Sequence, residues 1–371
     1  MNSRDSTLRL ATRGSDLALR QAATVGEALE GRRRSVELIE VETTGDQISD
    51  ELIHQLGKTG AFVRALDERV LDGEADAAVH SLKDVPTETD EGTDEQLVVA
   101  GVPERGPSGD VLVTPDGTAL EELPEGATVG TSSLRRGAQL RAERPDLHVE
   151  PLRGNVDTRI EKLLAPSLQY EHAERSDAES QRKERADDED YEFPYDRTVE
   201  EWFDDLAEIE RRALERDVEI EYDAVVLAAA GLRRLGLDHH VPTVGLDPDR
   251  FVPAPGQGTI AVTAPDGETA ARINDAVDHP PTRVATTVER TVLATLGGGC
   301  IAPIGVHATV QGRTVRTTAR VLSQDGNVEV AATRDLPIHR HPDAAREFAE
   351  DLREQGAAEL IEQAIAEAET E

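Results

Sequence analysis

The sequence predicts an α/β fold in which two units of mostly parallel β-sheet, covered by helices, precede a small α+β domain. Three observations support this prediction: strand and helix patterns alternate over residues 7–80, alternate again over 128–235, and give way to strands of alternating polarity after residue 300. Repeated βα units place helices on the faces of a sheet. The 371 residues exceed one typical domain and suit two or three.

The first series begins with an extended apolar segment at 7–11 and a helix. Ser15 is a natural N-cap for this helix, in which apolar residues recur at helical spacing from Leu17 to Leu29. A strand at 36–43, a helix at 62–71 and a short buried strand at 76–80 follow.

The second series lies between two connections rich in Gly and Pro, GVPERGPSGD at 101–110 and FVPAPGQG at 251–258. Between them the patterns predict strands at 128–131, 148–152 and 222–228, and helices at 133–144, 155–165 and 229–235. An apolar strand at 259–263 follows the second connection. We therefore place domain 1 at 1–102 and 257–277, domain 2 at 103–256, and domain 3 at 278–371.

Domain 3 is expected to contain a helix at 282–296, antiparallel strands at 306–310, 314–322 and 328–334, and one closing helix at 344–366. Domain 2 is expected to carry an acidic insertion at about 166–220. Residues 171–220 hold 20 acidic and 8 basic side chains, and we expect disorder up to about Asp190. Apolar residues from Val199 to Leu214, including Trp202, predict one amphipathic helix that packs on domain 2.

Composition excludes several classes of function. A net charge of −35 opposes binding to nucleic acid and to anionic membranes, and no apolar run is long enough to span a bilayer. The N-terminus lacks a signal-peptide pattern, so we expect a cytoplasmic protein. Four lysines against 36 arginines, with excess carboxylate, are typical of proteins from salt-accumulating halophiles. The single cysteine excludes an intrachain disulfide and a zinc site of several cysteines.

Two short segments point to chemistry. Cys300 follows three glycines and precedes Ile-Ala-Pro-Ile-Gly, a loop suited to presenting a thiol to a bulky group, although a lone cysteine is also commonly a small buried hydrophobe. Lys83 and Asp84 end a short strand in HSLKDVP, where polar groups of an open α/β sheet face the ligand crevice. An ionised Asp84 could act on a cationic intermediate; a surface ion pair is the alternative.

Arginines recur where predicted strands meet helices, beside Gly, Ser and Thr. Helix N-termini favour anions, and a guanidinium binds a carboxylate through two hydrogen bonds. This placement predicts a polyanionic ligand in a cleft, against the alternative of solvated partners for surface carboxylates. The arginines concerned are Arg13, Arg135, Arg136, Arg153, Arg159 and Arg234.

The chain resembles hydroxymethylbilane synthase (porphobilinogen deaminase). The segments ATRGSDLAL, GAFVRALDE, HSLKDVP, VGTSSLRRG, LRGNVDTR, YDAVVLAAAGLRRLGL, PAPGQG and LGGGCIAPIG occur in that family's order over nearly the whole chain outside 166–220. The resemblance implies two periplasmic-binding-protein-like domains of type II that face a cleft, and a third domain with a cysteine in thioether linkage to a dipyrromethane. That cysteine matches Cys300.

The implied reaction condenses four porphobilinogen molecules onto the dipyrromethane with loss of ammonia, through an azafulvene, and ends with hydrolytic release of hydroxymethylbilane. Asp84 matches the catalytic aspartate. The resemblance also implies a monomer, a small-molecule substrate and no metal. The positions that match cofactor- and substrate-binding residues are Arg13, Ser15, Phe62, Lys83, Thr131, Ser133, Arg135, Arg136, Arg153, Arg159, Arg234 and Gln257.

The sequence departs from the family in three places. The family reads Gly-Lys-Gly before the residue that matches Phe62, whereas here Lys58 is displaced by one residue in Gly-Lys-Thr-Gly. After PAPGQG the family often continues to a glutamate and a cysteine, whereas here TIAVTAP follows. The acidic insertion replaces a short turn between a helix and a strand.

Three rival interpretations remain open at this point. A solute-binding protein would have no use for Cys300 or Asp84. A cysteine hydrolase would need a histidine such as His279 or His307 near the thiol. The histidines at 239–240 and at 339 and 341 lack a metal-binding pattern, so surface positions account for them better.

Overall fold

The computed structural model describes residues 6–31, 34–41, 61–87, 97–185, 188, 191–299 and 301–368. Strands β1 to β13 span Ser6–Arg13, Arg34–Val41, Ala77–Ser81, Leu97–Gly101, Asp110–Val113, Thr128–Gly130, His148–Glu150, Ala224–Ala228, Thr243–Gly245, Ile260–Pro265, Ile304–Gln311, Thr314–Leu322 and Glu329–Pro337. Helices α1 to α11 span Asp16–Leu29, Ala61–Leu71, Leu134–Glu143, Val156–Glu184, Val199–Asp205, Glu208–Leu214, Ala229–Leu235, Glu268–Val277, Pro280–Leu296, His341–Leu352 and Ala358–Ala368.

The first two sheets share one plan. Their strand orders are β2-β1-β3-β10-β4 and β7-β6-β8-β5-β9. In each sheet three neighbouring strands are parallel, and the fourth strand, β10 or β5, runs antiparallel to both of its neighbours. Four of the five strands in each sheet therefore run in the same direction, as predicted for mostly parallel sheets, and the one reversed strand makes each sheet mixed. The reversed strand is in each case the first strand after a connection from the other sheet, so it enters from the opposite end.

Apolar side chains of the helices pack on these sheets. In the first, Leu10, Val25 and Val262 are almost fully buried in one cluster. Full burial of one such side chain stabilises the fold by about 1.5–3 kcal/mol. The third sheet, β11-β12-β13, is antiparallel as predicted, and it packs on α9, α10 and α11 through residues such as Val288 and Phe348. The predicted α/β class with a smaller C-terminal α+β unit is confirmed.

The prediction of disorder over the first half of the acidic insertion is wrong as far as Glu184, because α4 continues to that residue. Ion pairs such as Glu171–Arg175, at 2.7 Å, join successive turns of this helix. The Arg175 guanidinium also lies 4.4 Å from the ring centre of Tyr195 and 5.3 Å from that of Trp202. Tyr195 and Trp202 lie 20 and 27 residues after Arg175 in the sequence, so the composition of the segment alone does not reveal these contacts.

Two further predicted helices are each divided in two. The region from Val199 to Leu214, expected as one helix, forms two helices, α5 and α6. The second helix begins after Ala207, whose N–H donates a hydrogen bond to the Glu210 carboxylate at 2.7 Å. Its apolar side packs on domain 2 as predicted. The closing helix is α10 and α11, because Gly356 adopts φ 109° between them.

Candidate active site

Lys83 and Asp84 lie in a single helical turn directly after β3. The strand is buried and ends at Ser81, Leu82 anchors the turn in the interior, and the Val85 N–H donates to the Leu82 carbonyl at 3.2 Å. The Lys83 ammonium lies 3.1 Å from the Asp84 carboxylate, and these side chains are 43% and 51% exposed. The turn therefore presents a carboxylate that a substrate can reach.

Behind this turn, His80 joins three elements of the first sheet unit. Its Nε2 lies 3.0 Å from Asp67 Oδ1 on α2 and 3.0 Å from Thr263 Oγ1 on β10, and Thr263 donates to Asp67 at 2.8 Å. The histidine is buried. This contact is absent from the sequence prediction, because the three residues are distant along the chain.

Arg135 and Arg136 are buried against Asp110, which the sequence analysis missed. Arg135 Nη2 lies 2.8 Å from Asp110 Oδ2, and Arg136 Nη2 lies 2.7 Å from Asp110 Oδ1. Burial alone would raise the pKa of Asp110, but the two guanidiniums outweigh burial and hold that pKa below its usual value. Ser133 caps α3 by accepting from the Arg136 N–H at 3.4 Å, which fixes where the arginine pair begins.

Gln257 belongs to the loop at 252–259 and connects this loop to the ion pair. Its amide nitrogen donates to the Ser108 carbonyl at 2.6 Å and to Asp110 at 2.9 Å, while its oxygen accepts from Arg135 at 3.2 Å. The side chain is buried, so any influence on a ligand would pass through these partners.

The same loop contacts the other predicted site segments. A Cβ at Gly256 would lie 3.2 Å from the Lys83 backbone nitrogen, and the Gly258 carbonyl accepts from Arg234 Nη2 at 2.7 Å. Gly258 has φ 81°, and a Cβ there would lie 2.6 Å from the Pro107 carbonyl oxygen, so only glycine fits. The loop therefore brings the Lys83–Asp84 turn, the Asp110 ion pair and Arg234 together.

The remaining predicted residues lie at the ends of strands and helices. Arg13 is half-buried at the end of β1, Ser15 caps α1 by accepting from the Ala18 N–H at 3.4 Å, and Arg153 is half-buried before α4. The buried Thr131 hydroxyl accepts from the Ser133 N–H at 3.2 Å. Arg159 Nε donates to the Gly154 carbonyl at 2.9 Å.

The buried charges of this region suit an anionic group. Burial, with a smaller effect of Arg136, lowers the pKa of Arg159 to about 10, so its guanidinium stays protonated at neutral pH. Burial also lowers the pKa of Arg234. Arg135 keeps a buried Nε–H without a hydrogen-bond partner among the described residues. Buried cations in excess of carboxylates are costly, and an anionic ligand would reduce that cost. These residues therefore fit a polycarboxylate group such as a dipyrromethane.

Three predicted positions lie partly or wholly outside this description. Cys300 and Lys58 fall outside the described residues, and for Phe62 only the backbone, at the start of α2, is described. Immediately before Cys300, Gly297, Gly298 and Gly299 have φ of 79°, 81° and 50° in succession. Residues other than glycine rarely adopt these positive φ values, so three glycines in succession suit the turn that leads to the cysteine.

Glu289 on α9 is a further buried residue that sequence analysis missed. It accepts from Arg105 at 2.6 Å, from the Gly256 N–H at 2.7 Å and from the Ala308 N–H at 2.7 Å. It thus joins both connections between the first two sheets to the third sheet. A charged residue in the apolar stripe of α9 was the available signal, although its partners could not be read from the sequence.

The histidines of the hydrolase interpretation have other partners: His279 lies 2.8 Å from the Thr282 hydroxyl, and His307 lies 3.0 Å from the Ser108 hydroxyl. Within the described ranges no group of three His, Cys, Asp or Glu side chains could hold a metal ion. No helix among those residues is long and apolar enough to cross a membrane.

Comparison with known proteins gives consistent matches. The family described as porphobilinogen deaminase, dipyromethane cofactor binding domain, matches residues 8–173 and 207–272, and the one described as porphobilinogen deaminase, C-terminal domain, matches 284–355. The stretch between the first two ranges lies within the acidic insertion.

Relatives match over nearly their whole length. A probable porphobilinogen deaminase of Halobacterium salinarum is 53% identical over 97% of this chain and 99% of its own. The porphobilinogen deaminase of Thermobifida fusca is 38% identical over 96% of this chain and 97% of its own. Among solved structures, the ectoine-binding protein TeaA covers 98% of this chain and 99% of its own at 12% identity with a TM-score of 0.34, too low to support an argument. The relatives support the synthase resemblance and not the solute-binding alternative. This chain belongs to the porphobilinogen deaminase family, whose dipyrromethane cofactor binding domain it contains.

Proposed function

We propose that this chain is a hydroxymethylbilane synthase, a transferase that condenses four porphobilinogen molecules in turn and releases hydroxymethylbilane. The observation that carries the proposal is the loop at 252–259, which brings the exposed Asp84 carboxylate and the buried arginines into one region of a porphobilinogen deaminase chain.

The arginines would hold the carboxylates of the substrate and of the growing product. Each pyrrole unit carries an acetate and a propionate, so every addition brings two negative charges. Arg135, Arg136, Arg159 and Arg234 are among the buried or half-buried cations that could donate charge-assisted hydrogen bonds to them. Arg13, Ser15, Phe62, Lys83, Thr131, Ser133, Arg153 and Gln257 complete the proposed binding set.

Asp84 is the proposed catalytic residue. Loss of ammonia from the aminomethyl group of porphobilinogen leaves a cationic, electrophilic substrate, and each new carbon–carbon bond releases one proton from the pyrrole carbon that attacks. A carboxylate that is half exposed at the end of a strand can stabilise that cation, accept a hydrogen bond from a pyrrole N–H and receive the proton.

Cys300 is the proposed attachment point of the dipyrromethane, through a thioether to its sulfur. When bound, this cofactor supplies the free pyrrole carbon at which the chain is extended. The three glycines before the cysteine give the backbone freedom to present the thiol. We further propose the domain boundaries stated above and a cytoplasmic monomer, since a net charge of −35 opposes self-association.

Intact-protein mass spectrometry tests the proposal. Wild-type protein supplied with porphobilinogen should gain the mass of one dipyrromethane, and Cys300→Ser should remain at its polypeptide mass. Asp84→Asn should acquire the adduct but lose at least about 99% of turnover, since it removes the charge that stabilises the cation. Folded wild-type protein that never gains the adduct, or an Asp84→Asn variant with wild-type turnover, would contradict the proposal.

A further inference from the structure

Arg290 on α9 binds the turn that carries Lys83 and Asp84. Its Nη1 donates to the Val85 carbonyl at 2.7 Å and to the Leu82 carbonyl at 3.3 Å, and its Nη2 donates to the Pro86 carbonyl at 2.6 Å. One guanidinium therefore holds three carbonyls on both sides of Asp84. Hydrogen bonds from a charged donor are roughly twice as strong as neutral ones.

Few other contacts fix this turn. The Leu82 N–H donates to the Thr259 carbonyl at 2.9 Å, and the Leu82 side chain is buried. The Lys83 and Asp84 side chains are about half exposed and contact each other. The position of the Asp84 carboxylate therefore depends on how the backbone of the turn is held, and Arg290 supplies three of the bonds that hold it.

Arg290 also lies on the helix that leads to Cys300. Helix α9 is continuous from Pro280 to Leu296, and the glycine turn follows at once. Arg290 precedes the end of this helix by six residues, about 9 Å along its axis. Because a helix is stiff over this distance, the Asp84 turn and the start of the cofactor loop are attached to one rigid element.

We propose that Arg290 is a positioning residue for the condensation reaction. It fixes the turn bearing Asp84 relative to the helix that leads to the cofactor cysteine, so that the carboxylate keeps its distance from the reacting pyrrole. The inference rests on the proposed function. It concerns a residue that does not itself touch substrate, since its guanidinium is occupied by protein carbonyls.

The surroundings make the residue suitable for substitution. A cavity of about 260 Å³ adjoins it, lined by residues of α9, β4 and the turn, including Leu82, Thr287 and Thr291. The threonine hydroxyls in this lining could hold water, which would solvate the carbonyls that the substituted side chain no longer contacts. We therefore expect Arg290→Met to fold, with Arg290→Lys as a second variant that keeps the charge and part of the hydrogen bonding.

Arg283 provides a matched control on the same helix. It too lies on α9 and donates to backbone carbonyls of the first sheet unit, those of Val99 and Ala100 at 3.2 Å. Those carbonyls belong to β4 and not to the Asp84 turn. Arg283→Met thus removes a similar bridge between α9 and the first sheet unit, together with the 2.7 Å ion pair of Arg283 with Asp278, while leaving the turn bound.

The first readout is steady-state kinetics of holoenzyme whose covalent dipyrromethane has been verified by mass. For Arg290→Met we expect kcat to fall about tenfold to a hundredfold with KM for porphobilinogen within about threefold of wild type, because a displaced catalytic group slows chemistry more than binding. Arg290→Lys should recover part of kcat, and Arg283→Met should keep kcat within about twofold.

The second readout is hydrogen exchange, which does not depend on turnover. Peptides that cover residues 82–87 should exchange at least about ten times faster in Arg290→Met than in wild type, and at the wild-type rate in Arg283→Met. Unchanged exchange, unchanged kcat in Arg290→Met, or an equal loss of kcat in both variants would overturn the inference. A wild-type protein that carries the adduct but never consumes porphobilinogen would instead overturn the proposed function, whatever the exchange result.

Discussion

Replacing Asp110 by Asn should destabilise the protein severely. Asp110 is fully buried and accepts from Arg135 at 2.8 Å, from Arg136 at 2.7 and 3.0 Å and from Gln257 at 2.9 Å. The Asn amide keeps the shape of the carboxylate but removes its charge. Two buried guanidiniums then remain without the carboxylate that neutralises one of them.

The expected magnitude follows from that imbalance. Removing one partner of a buried ion pair typically costs about 3–5 kcal/mol of unfolding free energy, because the remaining charge stays buried. A loss of this size changes the ratio of folded to unfolded protein by about a hundredfold to a few thousandfold. Asp223→Asn is the control, because this carboxylate is exposed and accepts one N–H bond from Thr128 at 2.7 Å; we expect a loss below about 1 kcal/mol.

The assay is urea denaturation of both variants and wild type at one fixed KCl concentration, followed by circular dichroism and fluorescence. Because the folded pKa of Asp110 is lowered, its contribution is fully present above the pKa of the unfolded chain, about 3.9, and is lost as pH falls through the folded value. The difference between wild type and Asp110→Asn should therefore be level from pH 7 to about pH 5 and shrink below that. An Asp110→Asn variant within about 1 kcal/mol of wild type at pH 7 would refute this reasoning.

Three other predictions follow from the fold and the composition. Thr259→Val should raise stability by about 1 kcal/mol, because the buried Thr259 hydroxyl has no hydrogen-bond partner in the described parts of the chain; a lower melting temperature would contradict this. Deleting residues 171–195 should leave kcat within about threefold of wild type, since almost all of the described residues in this segment are exposed or half-buried. The deletion should lower the melting temperature through loss of the Arg175–Tyr195 stacking, and a folded deletion protein without activity would count against the prediction. Finally, the melting temperature should rise between dilute buffer and about 2 M KCl as salt screens the net charge of −35, and greatest stability in dilute buffer would refute the halophilic interpretation.

Local patterns predicted many of the elements well. Ser15 is the N-cap that was predicted, and the helix at Ala229–Leu235 has the predicted bounds. The predictions failed where distant residues decide the structure. The extension of α4 depends on aromatic residues beyond residue 190, and the antiparallel direction of β5 and β10 depends on how the chain crosses between sheets.

The candidate site shows the same division. Motif positions such as Asp84 and Arg135 could be named from the sequence, because strand ends and helix starts in α/β sheets face ligands. Asp110, Glu289 and Arg290 could not, because their partners lie 19 to 208 residues away along the chain.

The sequence by itself determined the α/β class and the likeness to one enzyme family, since these depend on local periodicity, capping and motif order. Only the tertiary structure decided which charges neutralise one another. A buried guanidinium must find its carboxylate or carbonyl in space. Asp110 on β5, the loop at 252–259 and Glu289 on α9 supply such partners from distant parts of the chain.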